Sequence, residues 1–275
     1  MIRNELLKTF FKWRSYIGFI AIAIVVPLVE VGFRLEGGTI VSAFSRGLSQ
    51  APFLPENVFN GYFVTHFIMN SLWVHIPFLI TLVAGDMLAG EAASGTFRIL
   101  LTRPPSRTRV FFTKYAVTLL YTALLVLFLA LLTLGLGLWL FGSGDLVVPA
   151  EGFAVIPAAD APARMALAFA FAIWSMWCVA ALALFFSSFV ENAIGPIIGS
   201  MAVIIVFLVI SSIPLSLFAA VRPFLFTTYM SLWRQAMAQP IQWADTVRAA
   251  LAMGGFTAAF TAAAWLVFVR KDVLS

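Results

Sequence analysis

Within residues 86–114, a chain with few charges gathers carboxylates, hydroxyls and bases between two long apolar stretches. Asp86, Glu91, Ser94, Thr96, Arg98, Arg103, Ser106, Arg107, Arg109 and Lys114 all fall there. Side chains of these types can pair as ions, satisfy helix termini or meet another polypeptide. Phe97, Leu100 and Leu101 share one face at i, i+3, i+4 spacing, so the charges surround an apolar knob. An apolar anchor inside a polar rim is the composition of a docking surface. Bases alone also suit a loop lying on anionic headgroups, which accounts for Arg103, Arg107, Arg109 and Lys114. Glu91, Ser94, Gly95 and Thr96 need a further reason. Arg98 lies two turns from Glu91 on the same face. Asp86 is placed to cap a short helix, Thr102-Arg-Pro-Pro stops it, and Ser106 is placed to cap the next one.

Other chemistry is sparser. Ser71 and His75, one turn apart, come nearest to a nucleophile and base, but no orienting group or oxyanion motif accompanies them. His66 and His75 are nine residues apart and face different sides of a helix, too few and too divergent for a metal site. Asn70, Ser71 and His75 are polar residues in an apolar segment, where such groups line a pathway or bond between helices. The single cysteine, Cys178, permits no disulfide framework and reads as a packed side chain. No G-x-x-x-x-G-K-[ST] loop occurs, so the chain holds no nucleotide by that route; neither cofactor nor catalytic residue is assigned to it.

The elements that position these residues follow from composition. Of 275 residues, 62% are hydrophobic and 11% charged, against about half and a quarter in soluble domains. The apolar residues come in blocks near the length that crosses a hydrocarbon core. Six spans are expected, at 16–33, 61–84, 110–141, 164–190, 195–220 and 247–269. The fold class is therefore an all-α polytopic membrane protein, with residues 1–275 forming one transmembrane domain. Residues 1–15 are amphipathic: Ile2, Leu6, Phe10 and Trp13 share a broad arc with Leu7 and Phe11, opposite Glu5, Lys8, Thr9 and Lys12. Such a stretch lies in the interface as an elbow, its lysines toward headgroups, or extends the first span into water. No cleavable signal follows it.

Six spans put both termini on one side. Eleven of the 17 Lys and Arg residues then share that side with the 85–109 connection, which the positive-inside rule makes cytoplasmic. The net charge of +5 is thereby topological and calls for no nucleic acid. Across the membrane, 34–60 and 142–163 read as ordered loops, and Glu30 as a group reaching outside water. The 221–246 connection contains aromatic residues with Arg234 and Gln235, expected as a short helix at the outer interface. Gly195 and Gly199 form a small-x-x-x-small pair that packs helices within one subunit or at a dimer seam.

The run D-x-x-x-G-E-x-x-S-G-T-x-R-x-L-L-x-R-P-x-S-R, from Asp86 through Glu91, Ser94, Gly95, Thr96, Arg98 and Arg103 to Arg107, resembles the cytoplasmic loop of ABC-2-type permeases. These are membrane subunits of ATP-binding-cassette exporters. The layout is similar too: an elbow helix, six spans, a polar break between the fourth and fifth, and a basic end at Arg270-Lys271. The resemblance implies a coupling helix after the second span that fits a cleft on an ATPase, here with Glu91, Gly95, Thr96, Phe97 and Arg98 as coupling residues. It implies ATP and Mg on that separate chain, and a second permease copy, identical or similar. An accessory outer or periplasmic protein is a further partner of such systems. The expected function is export of an unidentified, amphipathic or lipid-like substrate across the cell (inner) membrane. The alternatives are an intramembrane enzyme and a non-transporting anchor or assembly protein.

Overall fold

The computed structural model describes residues 1–47, 59–95, 106–150 and 152–271, with only the backbone described for 38–47, 149–150 and 152–153. Its frame is mostly helical. Helix α1 (Ile2–Phe11) ends where Lys12 turns extended, and α2 (Arg14–Gly47) begins two residues later. α2 thus continues well past the expected end of the first span, into the segment read as a loop.

The second span is not one helix. α3 (Gly61–Leu72), α4 (Ile76–Ala84) and α5 (Asp86–Ala93) follow one another, with a turn at 73–75 and a break at Gly85. Pro77 explains the turn: it has no N–H for the carbonyl of Trp73, and its ring crowds that carbonyl. The helical run long and apolar enough to cross a membrane is Ile76–Ala93, displaced toward the terminal end from the expected 61–84. Asn60 caps α3, accepting from the amides of Tyr62 and Phe63.

α6 (Arg107–Phe141) carries the third span, capped by the Ser106 hydroxyl, which accepts from the Arg109 amide as its position implied. Gly142, at φ 71°, ends it in a conformation that favours glycine. The all-α expectation needs a correction here. β1 (Leu146–Ala150) and β2 (Gly152–Ile156) pair antiparallel, Leu146 opposite Ile156. Leu146, Val147 and Ile156 are buried, so the hairpin closes the core at the end away from the termini.

α7 (Ala161–Phe189) is the central post, touching α4, α5, α6, α8 (Ile194–Ser212) and α11 (Trp243–Arg270). Ala168, Ala172, Ala180, Ala181, Ala183 and Cys178 are buried and let neighbours approach closely. α8 stops at Ser212 rather than at residue 220, because Pro214 pushes Ile213 into extended geometry.

The connection from α8 to α11 holds α9 (Ser216–Ala219), a 3-10 turn (Arg222–Phe224), α10 (Phe226–Tyr229) and a 3-10 segment (Met230–Met237). In place of the single short helix expected, four short helical pieces follow one another, and the last turns onto protein. Leu232, Trp233, Ala236 and Met237 are buried and pack on α7, with Trp233 fully enclosed. The apolar face of this segment faces protein, which explains its many aromatics. Arg164 of α7 holds it, donating to the carbonyls of Ala236 and Ala238.

Six helices are long and apolar enough to cross a membrane, the pattern of a multi-pass membrane protein. Glu5 on α1 contacts Lys114 on α6, while Lys271 contacts Phe189. The N-terminal helix and the end of α11 therefore sit at the same end of the bundle.

Candidate functional site

Four elements converge at that terminal end. Lys114, seven residues into α6 and almost fully enclosed, places Nζ 2.7 Å from Glu91 Oε1 of α5 and 2.9 Å from Glu5 Oε2 of α1. Lys8, a turn beyond Glu5, reaches the same two carboxylates at 3.4 Å each. Asp86 opens α5 between Lys12, at 2.7 Å, and Arg14, at 3.1 Å. The three acids and four bases fasten α1 to the ends of the second and third spans.

The local folding is legible residue by residue. Glu5 and Thr9 lie one turn apart on α1 and are both buried, Thr9 donating to the Glu5 carbonyl. The polar arc of α1 divides: Glu5 and Thr9 face the bundle, where Glu5 meets Lys114, while Lys8 and Lys12 stay exposed. Leu7 and Phe11 are exposed as well. Burial opposes ionisation of Glu5, but Lys114 and Lys8 outweigh it and hold its pKa below 4.5. Burial likewise opposes the charge on Lys8, and Glu91 and Glu5 reverse that, lifting it above 10.5.

Asp86 does not cap α5 with its side chain, contrary to expectation. Ser187 of α7 does that work across the interface. Its hydroxyl accepts from the amides of Leu88 and Ala89 and donates to the Gly85 carbonyl at 2.6 Å. Asp86 is left free for Lys12 and Arg14. Gly85 itself permits close packing on α8: a Cβ there would come within 2.9 Å of Ile197.

The expected coupling residues divide. Glu91 is buried in the ion cluster, with no exposed role in the described surface. Gly95, at φ 68°, ends α5 as a left-handed glycine and turns the chain toward the following segment. Thr96, Phe97 and Arg98 lie outside the described residues, as does Arg103. A cleft of about 600 Å³ borders the cluster, lined by Asn4, Leu7, Lys8, Phe11, Glu91 and Ser94 among others.

The other candidates lie further along the bundle. Asn70 accepts from the Arg234 guanidinium at 2.5 Å, an interhelical bond to the 3-10 segment. His75 places Nδ1 3.1 Å from the carbonyl of Ser71, so its ring meets the backbone rather than the hydroxyl. His66 is buried beside Trp233, ring centroids 5.5 Å apart. A Cβ at Gly195 would meet Val190 at 3.3 Å, and one at Gly199 would meet Phe186 at 3.3 Å. Both glycines thus have a close neighbour within the chain, and Gly195 is itself exposed. Glu30 is fully buried, not in outside water as expected. Among the described residues, no group of three or more His, Cys, Asp or Glu could hold a metal ion.

A family model described as "Protein of unknown function (DUF2705)" matches residues 18–274. The chain belongs to the DUF2705 family. No curated protein matches it. In this DUF2705 chain the residue that organises the cluster, Lys114, was grouped in the sequence with lipid-facing bases. Its position inside an apolar block carried a stronger signal. An ammonium at that depth needs carboxylates, and Glu5 and Glu91 supply them.

Proposed function

We propose that this chain is the permease subunit of an ATP-binding-cassette exporter, working with a second permease and with separate ATPase subunits that bind ATP and Mg. The observation that carries the reading is the Glu5–Lys114–Glu91 cluster. It joins α1, α5 and α6 into one unit immediately before and after residues 96–105, where the permease-like loop lies. A force applied to that loop would reach the second and third spans together, because the Glu91–Lys114 pair ties α5 to α6. Rigid elements moving past one another transmit switching motions in this way. On this reading the end bearing the termini is cytoplasmic, α1 is the elbow, and Thr96, Phe97 and Arg98 meet the ATPase. Glu91 then stiffens the lever and does not itself touch the partner.

The test is co-expression with candidate ABC ATPases, followed by co-purification and ATPase assay in nanodiscs. The expected outcome is a stable complex whose hydrolysis rate depends on the permease. Failure of every nucleotide-hydrolysing partner to associate, with loop crosslinks going to lipid alone, would overturn the assignment.

A further inference from the structure

At the end of the bundle opposite the termini, a cavity of about 460 Å³ opens between the α8–α11 connection and the first turns of α11. Its charged lining is Arg222, Arg248 and Asp245, none of which forms an ion pair among the described residues. Two further polar atoms are buried there without a partner: Arg222 Nε, a donor, and Gln235 Oε1, an acceptor. Buried polar groups are rarely left so, and those that are point to a missing ligand, water or ion. The remaining polar groups have other partners. Tyr229 donates to the Pro223 carbonyl, Thr228 to the Arg222 carbonyl, and the Arg222 terminal nitrogen to Ile213 and Leu215 carbonyls.

The unmet needs are of two opposite kinds. Arg222 Nε, buried and unmet, and the exposed guanidinium of Arg248 suit an anion, best a phosphate or carboxylate. Asp245 and Gln235 Oε1 can only accept, and call for a cationic N–H donor. A simple anion would leave Gln235 Oε1 unmet and Asp245 to water alone, and a simple cation would leave Arg222 Nε unmet. We propose that this cavity binds a zwitterion carrying an ammonium with N–H bonds beside an anionic group, of the phosphoethanolamine type. Leu217, Phe224 and Trp243 are exposed and within two residues in sequence of the lining residues Ala219, Pro223 and Asp245, and suit acyl chains, so a membrane lipid and a soluble zwitterion are the two sources to separate.

The experiment uses the purified full chain in detergent, alone, so it stands apart from any ATPase partnership. Native mass spectrometry measures retention of phosphatidylethanolamine, phosphatidylcholine and phosphatidylglycerol. Choline has no N–H and glycerol no cation, so the first lipid should be retained about tenfold over both. Asp245→Asn, at an exposed site, should reduce that preference over phosphatidylcholine to near unity. Arg248→Gln, also exposed, should weaken retention of all three. Melting temperatures confirm that both variants are folded. Displacement of the lipid by O-phosphoethanolamine extends the site to soluble zwitterions; its failure with the preference intact confines the site to membrane-borne ones. Equal retention of the three lipids by the native chain, or a preference that survives Asp245→Asn, overturns the proposal.

Discussion

Lys114 shows how much one side chain can organise. Its ammonium is enclosed, and Glu5 and Glu91 supply the opposing charge within 2.9 Å. Removing one partner of a buried ion pair leaves the others uncompensated, which costs about 3–5 kcal/mol. Lys114→Met should therefore lower the melting temperature in detergent markedly, and a melting curve unchanged from the native chain would show that the cluster contributes nothing. Packing makes a second demand at this scale. A Cβ on Gly61 would sit 2.5 Å from the backbone of Gly137 and Leu138, and backbone cannot swing aside. Gly61→Ala should cost about 1–3 kcal/mol through forced separation of α3 and α6. Gly32→Ala is the matched control: nothing lies within 4 Å of its Cβ, so the same change should be neutral or slightly stabilising. Equal melting temperatures for the two variants would refute the close contact.

At the scale of elements, α1 is held by charge more than by apolar contact, and that gives its attachment a pH window. Glu5 has its pKa depressed below 4.5 in the folded chain. Its contribution is present above that value and is lost as pH falls through the lower folded value. Lys8 is raised above 10.5, so its contribution is complete below that and disappears only as pH rises through its folded value. α1 should thus stay docked from about pH 5 to 10 and loosen in acid. Spin labels at Arg3 and Arg109, both exposed, would report this. The distance distribution should stay narrow across the window and broaden only as pH falls through the depressed folded value of Glu5; a distribution as narrow with all carboxylates protonated as at neutral pH would contradict it.

The same elements show what the sequence could and could not disclose. The number of spans was legible because hydrocarbon thickness sets the length of an apolar block, and the Ser106 cap because its neighbours are local; the bounds of the first, second and fifth spans were not. The orientation of α1 was not, because amphipathic arcs do not say whether an acid faces water or a buried lysine 109 positions away. Nor was the broken second span, although Pro77 was in plain view; a strong apolar run masked a backbone rule. The inward course of residues 225–237 was hidden because aromatics suit a membrane interface and a protein core equally.

For the whole molecule, burial separates an interior from a periphery. The windows of the Ile76–Ala93 and Ala161–Phe189 spans are 67% buried, against 17% for Ile194–Ser212 and Trp243–Arg270. The second and fourth spans form the inner wall, and the fifth and sixth present apolar surface to lipid or to another copy. On the permease reading, the end of the second span is where an ATPase would press, since it leads through α5 and Gly95 into residues 96–105. The lever and the docking surface are then separable by mutation. Arg98→Glu should reduce partner-dependent ATPase activity at least about tenfold, as reversal of an interfacial charge does, while leaving the α1–α6 distances untouched. Arg103→Gln, at a base assigned to topology, should leave that activity nearly unchanged. Lys114→Met should do the reverse of Arg98→Glu: the partner still binds, but α1 loosens and hydrolysis no longer tracks transport. If Arg98→Glu and Arg103→Gln impaired association equally, the loop would be acting as undifferentiated positive charge, and a specific mechanical contact through Arg98 would be ruled out.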